Sequence, residues 1–496
     1  MIALVMAAGK GTRMLSERPK VLHGIAGEPM LGFVMNELDR LRQDGVVSRV
    51  VVIVGHEADQ VRAYLRKAWP FAEDAIQSPQ LGTGHAVMQA ASALVGHQGA
   101  VLIVNGDLPL LSATTLRQMA ERHRAERAAL TLLTVDLPEP GHYGRILRGP
   151  DGSVTGIVEF RDATAQQRAL SEINVGVYLA DWPALIEALS QLTPENDQGE
   201  YYLTDAVAAI VRRQLKVVAV KTDDIEATYG INNRAELAAA GARWRRRSCD
   251  RWLDRGVTIE DPATTWIGPR TVVGADTVIE PGVQLYGATR IGARCTIGSH
   301  SRLVDAVVGD GATIRSSDIT DSTIGEDSTV GPFARLRDHV VVGRKARIGN
   351  FVEMKQVQFG DGAKAAHLTY LGDAVVGEQA NIGCGTVTCN YDGERKHRTT
   401  IGKGAFVGTN NTLVAPVTVG DEAYTAAGST LTEDVPPGAL ALGRARQVVK
   451  EGWAYRRAEE RSRRRAEVES QAGVAAGPAR PAAVVETVQD GPRELA

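Results

Sequence analysis

The sequence predicts an α/β chain of two architectures: a Rossmann-like, mostly parallel sheet, then a helical arm, then a left-handed parallel β-helix. Three observations carry this. From Ile267-Gly268 an aliphatic residue, usually followed by Gly, returns every five or six positions, through Val273-Gly274, Ile279, Leu285, Ile291-Gly292, Ile297-Gly298 and Leu303. Residues 1 to 235 instead alternate β-rich apolar runs with amphipathic stretches. Between the two regions lies a segment with apolar residues at helical spacing.

In the first region, Ile2-Ala8, Arg49-Val54, Ala100-Val104 and Ala129-Val135 are the expected strands. The amphipathic stretches Met30-Leu41 and Gln60-Lys67 lie between them, which points to parallel strands joined by helices. Arg234 to Arg255 has Leu, Ala, Trp and Arg at helical spacing, with no Gly or Pro after Gly241, and Asp261-Pro262 stops it. Its run Arg245-Arg246-Arg247 reads as a solvated helix face, not a nucleic-acid patch, because the formal net charge is −3.

The aliphatic register continues, with three five-residue steps, through Val308, Ile314, Ile319, Ile324, Val330, Leu336, Val342 and Ile348. It resumes at Ile401, Val407, Leu413, Val419, Thr425 and Leu431. Neither a helical period nor a lone strand gives a repeat of six, whereas three such steps make one triangular coil of a solenoid. A β-sandwich would space its turns by about 8–12 residues. The Gly after each aliphatic residue is expected at a tight corner with φ > 0. Between Ile348-Gly349 and Ile401 the repeat is expected to break. Lys450 to Glu469 is charge-dense and reads as helical, and Ser470 to Ala496 has the composition of a disordered tail. The expected divisions are 1–233 for the sheet domain, 234–256 for the arm, 257–453 for the β-helix and 454–496 for a charged, disordered tail.

A chain of 496 residues should hold more than one core. Its 44% hydrophobic and 23% charged residues exclude a polyanion-coating protein. The four cysteines, Cys249, Cys295, Cys384 and Cys389, have neither C-x-x-C pairing nor His at zinc spacing, so free thiols in a reducing compartment are expected. His300, His339 and His367 are out of register for a zinc site built across coils. The apolar run Ile2-Ala8 is too short for a signal peptide or a membrane span. A cytoplasmic protein without a membrane or nucleic-acid partner is the expectation.

After the first strand comes Met6-Ala7-Ala8-Gly9-Lys10-Gly11-Thr12-Arg13-Met14, then Pro19-Lys20. Small residues let backbone N–H groups close on phosphate oxygens, and Arg13 and Lys20 supply charge. The spacing is neither a P-loop nor G-x-G-x-x-G. Farther on stand Gln77, then Gln80-Leu81-Gly82-Thr83-Gly84-His85-Ala86, and Asn105-Gly106-Asp107-Leu108-Pro109 at the end of a buried strand, where an acid is costly unless paired or metal-bound. Tyr143-Gly144-Arg145-Ile146, Val158-Glu159, Asn174-Val175-Gly176, Gly199-Glu200-Tyr201-Tyr202-Leu203-Thr204-Asp205 and Gly230-Ile231-Asn232-Asn233-Arg234 follow.

In content and order these strings resemble the sugar-nucleotide pyrophosphorylases, a nucleotidyltransferase family. The resemblance implies that Met6, Ala7, Ala8, Gly9 and Lys20 hold the UTP phosphates, that Gln77, Gly82 and Thr83 read uracil, and that Asn105 and Gly106 flank the nucleotide. It implies that Gly144, Glu159 and Asn174 hold N-acetylglucosamine, and that Asp107 and Asn232 bind Mg²⁺. Lys20 and Arg13 would then neutralise charge as the sugar phosphate attacks the α-phosphorus in line, with no general base. Asn105 stands where Tyr is expected.

The second cluster lies in the broken part of the solenoid: Asn350 to Lys355, Ala366-His367-Leu368-Thr369-Tyr370-Leu371-Gly372-Asp373, Asn381-Ile382-Gly383-Cys384-Gly385, and Asn390-Tyr391-Asp392-Gly393-Glu394-Arg395-Lys396-His397. Loops that leave a rigid solenoid collect binding residues. This string resembles the acetyltransferase half of the bacterial bifunctional N-acetylglucosamine-1-phosphate uridylyltransferases / glucosamine-1-phosphate N-acetyltransferases, and with the N-terminal motifs the resemblance covers residues 1 to 453.

It implies that His367 is the general base that takes a proton from the amine of glucosamine 1-phosphate as it attacks acetyl-CoA. Arg337, Lys355 and Lys396 would clamp the sugar phosphate, and Tyr370, Asn381, Asn390 and Tyr391 would orient the amine and the acetyl group. Asn390 and Tyr391, with Thr409, Ala427 and Arg444, would hold acetyl-CoA. Thr409 replaces an expected Ser, and Ala445-Arg446-Gln447 departs from the family's pattern. His397 reads as a surface residue. The resemblance also implies a homotrimer and a product that feeds peptidoglycan and lipopolysaccharide synthesis. A dead scaffold would have lost Lys20, Asp107 or His367, and all three are present. A single-activity nucleotidyltransferase that uses its β-helix only to oligomerise is the remaining alternative.

Overall fold

The four apolar runs read as strands are strands, and three more join them on the main path of the sheet, while two further strands, Arg145–Arg148 and Val154–Val158, pair off it. Those on the path are β1 (Ile2–Ala7), β2 (Arg49–Val54), β3 (Glu73–Ile76), β4 (Ala100–Asn105), β5 (Leu130–Asp136), β6 (Glu172–Asp181) and β7 (Val217–Lys221) in a computed structural model that describes residues 1–475. The sheet order is β7-β5-β6-β4-β1-β2-β3. β6 runs antiparallel to both β4 and β5, and every other pairing on this path is parallel. β1, and β2 after Arg49, are apolar throughout because helices cover both faces, as parallel sheets require. The phosphate loop after β1 and Asn105-Gly106-Asp107 after β4 leave the same carboxyl edge, where open α/β sheets place ligands.

The arm is one helix, Arg234–Leu253. Asn233 caps it, its side chain accepting from the backbone N–H of Glu236 at 2.9 Å, while the Glu236 carboxylate accepts from the N–H of Asn232 at 2.7 Å. Ala240 packs with Ile25, Met30, Phe33 and Ile231, and Trp244 meets Phe33 edge-to-face at 4.7 Å. One turn on, Cys249 and Trp252 belong to the solenoid core, with Trp244 Nε1 and Ser248 Oγ donating to the Ile267 carbonyl. Two residues of the basic run are tied up internally, Arg245 over the Trp266 ring and Arg247 in pairs with Asp224 and Glu226, while Arg246 is exposed. Burial pushes the Cys249 thiol up to about 11 and raises that of Cys295, and all four cysteines are free.

The solenoid is a left-handed parallel β-helix. Trp266 pairs with Gln284, eighteen residues on, whereas Arg302 pairs with Asp318 and Val307 with Thr323, so the five-residue steps shorten those coils. Every aliphatic residue of the predicted register is buried.

Two expectations are corrected here. The repeat does not break after Ile348: Met354, Phe359, Ala365, Leu371, Val376, Ile382 and Thr388 continue the inward column, and only residues 390–398 leave the coil. The glycines after inward residues are also not at positive φ, Gly331 excepted. A Cβ on Gly325 would meet the Gly343 backbone one coil on at 2.5 Å, so coil stacking excludes a side chain there. The left-handed corners fall later and are often non-glycine, as at Asp276, Arg294, Lys345 and Gln379.

Contacts separate a unit of residues 1–443 from one that begins at Arg444. In the second, Trp453–Ala475 is a single helix, so the disorder expected from residue 454 does not hold over 454–475. The remainder of the expected tail, 476–496, lies outside the described residues. No described helix is long and apolar enough to cross a membrane.

Candidate active sites

The carboxyl edge of the sheet carries two adjoining hollows. One, of about 490 Å³, is lined by Met6, Ala7, Ala8, Gly9, Lys20, Gln77, Gly82, Thr83, Asn105 and Asp107 among others. The next, of about 260 Å³, is lined by Gly144, Glu159, Asn174, Tyr178, Thr204 and Asn232. Met6, Thr83, Asn105 and Asp107 border both. Residues spread over more than two hundred positions thus converge on a bipartite site with a nucleotide-sized lobe and a sugar-sized lobe.

Where the lobes meet, Lys20 Nζ lies 2.5 Å from Asp107 Oδ2 and 3.3 Å from Asn232 Oδ1. The two oxygens converge on one cationic group, and an oxygen pair of this kind is what a hard divalent cation takes. Arg13 also donates to Asn232 Oδ1 at 2.9 Å. It borders a separate cavity with Tyr143, Tyr229 and Arg243 and does not line the nucleotide lobe. Gly106 is buried, its N–H donating to the Met6 carbonyl. The Gln77 amide N–H donates to the Gly82 carbonyl at 2.9 Å, so its donor is spent on shaping the loop.

In the sugar lobe, the Asn174 amide donates to Tyr178 Oη at 2.7 Å and accepts from the Gly176 N–H at 3.1 Å. Gly176 has φ +82, and a Cβ there would run into Asn105. Burial raises the Glu159 carboxyl above its usual range, opposed by a hydrogen bond from the Thr204 hydroxyl at 3.1 Å. Thr204 stands in a quoted string without a role of its own, and Tyr178 stands in none.

On the solenoid, His367 lies at a corner of the prism, paired in register with Asn350 one coil earlier. Asn350 Oδ1 accepts from His367 Nδ1 at 3.3 Å, which leaves Nε2 as the lone-pair nitrogen. The same register carries the corner column from Asn350 through His367 and Cys384 to Thr409 and Ala427, with Asn410 N–H bonded to the Cys384 carbonyl and Gly428 N–H to that of Thr409. Three residues expected in acetyl transfer therefore share one edge. Asn381 lies on the face before the corner, and Tyr370, Arg337 and Lys355 on the face after it. Arg444 belongs to the second unit.

Arg337 pairs with Glu353 at 2.8 Å and with Asp338 at 3.0 Å. The ammonium group of Lys396, carried on the loop, holds the Lys355 pKa below the ordinary lysine value, while Asp373 and Asp338 oppose this. Asp373 also accepts from the Asn390 amide. Tyr391 is exposed, its hydroxyl donating to the Gly393 carbonyl at 2.5 Å. His397, read as a surface residue, is half-buried and lies 2.6 Å from Asp392. Asn350 and Asp373 both stand in the quoted strings, but the motifs give neither a role; counting one coil back from His367 would have found that of the first.

Residues 3–193 match the MobA-like NTP transferase domain, 267–359 the GMPPB C-terminal domain, and 398–433 the hexapeptide repeat of succinyl-transferase. The chain is 48% identical to the Bifunctional protein GlmU of Exiguobacterium sp. (strain AT1b), over 92% of this chain and 99% of that protein. It is 47% identical to that of Geobacillus sp. (strain WCH70), over 92% and 97%, and 46% identical to that of Trichlorobacter lovleyi, over 92% and 98%. With that identity along almost the whole of each relative, and with a transferase domain and hexapeptide repeats in the same order, the chain belongs to the GlmU family of bifunctional nucleotidyltransferase/acetyltransferase proteins.

Proposed function

We propose that the solenoid acetylates glucosamine 1-phosphate with acetyl-CoA, and that the sheet domain then transfers UMP from UTP to the resulting N-acetylglucosamine 1-phosphate. Pyrophosphate and UDP-N-acetylglucosamine are the products. The observation that carries this reading is the coexistence in one chain of a cation-centred bipartite cleft and a corner-mounted histidine with an oriented ring. The single-activity alternative falls with membership of a bifunctional family.

In acetyl transfer, His367 Nε2 takes a proton from the sugar amine as its nitrogen attacks the thioester carbonyl, and the C–S bond breaks to release CoA. Asn350 fixes the ring so that Nε2 carries the lone pair. Arg337, Lys355 and Lys396 bind the sugar phosphate, and a phosphate placed against both lysines relieves the repulsion between them. Tyr370, Asn381, Asn390 and Tyr391 set the direction of the amine and acetyl group. Acetyl-CoA follows the corner to Thr409 and Ala427, two and three coils, or roughly 10 and 14 Å, from His367.

In uridylyl transfer, the loop Met6–Gly9 with Lys20 neutralises the phosphates, Arg13 acts from outside the nucleotide lobe through its bond to Asn232, Gln77, Gly82, Thr83 and Asn105 border the nucleotide, and Gly144, Glu159 and Asn174 hold the sugar. Transfer of this type requires a divalent metal. We assign Mg²⁺ to Asp107 and Asn232, where it would neutralise phosphate charge; positioning by the chain supplies the rest of the rate.

The assembly proposed is a homotrimer. Phe333, Phe351 and Leu368 stack on successive coils along the His367 corner at 59, 54 and 58% exposure, an apolar edge that another chain would cover. Free thiols support a cytoplasmic location. The test is to incubate the protein with glucosamine 1-phosphate, acetyl-CoA, UTP and Mg²⁺ and to omit each in turn. UDP-N-acetylglucosamine is expected only from the complete mixture, and its formation without acetyl-CoA would overturn the sequence of steps.

A further inference from the structure

We propose that His397 is a positioning residue for acetyl transfer: its ring, bonded to Asp392, latches the loop that presents Lys396 to the sugar phosphate. The inference rests on the clamp role given to Lys396 above. The loop leaves the coil after Cys389 and rejoins it at Thr399. It is closed at its base by His397 N–H on the Asn390 carbonyl at 2.8 Å and by an antiparallel bridge between Tyr391 and Lys396. Beyond that base, residues 391–396 are exposed, and nothing lies within 4 Å of where a Cβ on Gly393 would be.

Asp392 gathers this tip. One carboxylate oxygen accepts from the N–H groups of Arg395 at 2.7 Å and Glu394 at 2.8 Å, and the other meets His397 Nε2 at 2.6 Å. Those donors hold the Asp392 carboxyl far below the usual range, the Arg395 N–H foremost, so the acceptor is ionised and its bonds are of the stronger kind. The residues on either side of Lys396 are thus both fastened to one carboxylate.

Lys396 needs that fastening. Among the described residues its ammonium makes no ion pair, and it faces the like charge of Lys355. Asp373 and Asp338 favour the charged form of Lys396, so its ammonium lies beside like charge on one side and opposite charge on the other. The latch fixes the loop that carries it, and so keeps the two ammonium groups at the separation a phosphate bridges.

The test uses the full chain, varying glucosamine 1-phosphate at saturating acetyl-CoA. His397→Ala should raise KM for the sugar phosphate about 3- to 10-fold, the worth of one hydrogen bond, with kcat nearly unchanged. His397→Phe, which keeps a ring but no donor, should match it. The nearly unchanged kcat of acetyl transfer reports that the solenoid is folded. Because the latch acts through Lys396, adding His397→Ala to Lys396→Ala should raise KM no further. The proposal is overturned by an unchanged KM in His397→Ala, by full rescue with Phe, by additivity in the double variant, or by a loss confined to kcat. An unchanged KM in Lys396→Ala alone would remove the clamp, and the latch with it.

Discussion

Lys20 Nζ and Asp107 Oδ2 lie 2.5 Å apart across the mouth shared by the two lobes, each about one-sixth exposed. A lysine from the loop after β1 and an aspartate from the end of β4 are thereby held together by the adjacency of those two parallel strands. With Mg²⁺ assigned to Asp107 as proposed, ammonium and metal would compete for the same oxygen, and substrate phosphate and metal would replace the pair.

Asp107→Asn keeps an oxygen for Lys20 and removes the charge that a divalent cation needs. Uridylyl transfer should fall by about 10²–10³, the scale on which one electrostatic group acts at a reacting centre. Acetyl transfer, followed by CoA release, should stay at the wild-type rate. Equal loss of both activities would sink the two-site picture.

Much of this was legible in the chain because it depended on local chemistry. The strands of the sheet centre are apolar runs dominated by Val, Ile and Leu, and the phosphate loop is short and glycine-rich. What escaped depended on neighbours distant in sequence. The direction of β6 follows from its pairing with β4 and β5, not from its composition. The repeat from Met354 to Thr388 was hidden because Met, Phe, Ala and Thr fill inward positions that elsewhere hold Ile or Val followed by Gly. Asn350 was quoted in a motif, but its bond to His367 follows from coil length, which places residues seventeen apart side by side.

Glu159 offers a test through pH. An unfolded glutamate ionises in its ordinary range, whereas burial makes the folded one hold its proton to higher pH. Between those two values the folded state binds a proton that the unfolded chain has lost, so stability falls as pH rises through that window and stays lower above it. Glu159→Gln should therefore melt higher than wild type above the window and converge with it toward the acid side. Its KM for N-acetylglucosamine 1-phosphate should rise, since Gln cannot supply a charged acceptor to the sugar. A melting temperature equally shifted at every pH would show that Glu159 ionisation is not the cause.

His367→Ala should lower acetyl transfer by about 10²–10⁴, the usual contribution of a general base, and leave uridylyl transfer untouched. Asn350→Ala should have a smaller effect, about tenfold, because the ring keeps its base but loses the bond that orients it. Acetyl-CoA binding, measured directly, should be the same in both. If His367→Ala instead lost acetyl-CoA binding while its turnover at saturation survived, the residue would be a wall of the acyl site. Glu353 would be a poor replacement base, since Arg337 already occupies its carboxylate.

The corner itself supplies the last test. Phe333 and Phe351 stack at 5.6 Å with their planes 13° apart, and both sit at positive φ, where a large side chain is tolerated only if the surrounding coil imposes it. A stack of this size left in water is unfavourable, and burial against a neighbouring copy would recover about 1.5–3 kcal/mol per ring. Phe351→Glu places a charge in that contact without touching the inward column, so the solenoid should still fold. Light scattering should then show dissociation from the trimer toward the monomer, and acetyl transfer should fall in step with the trimer fraction. Uridylyl transfer, whose cleft lies on the sheet, should persist in the monomer. A Phe351→Glu protein that remained trimeric with full acetyl transfer would place the subunit contact on another face of the prism.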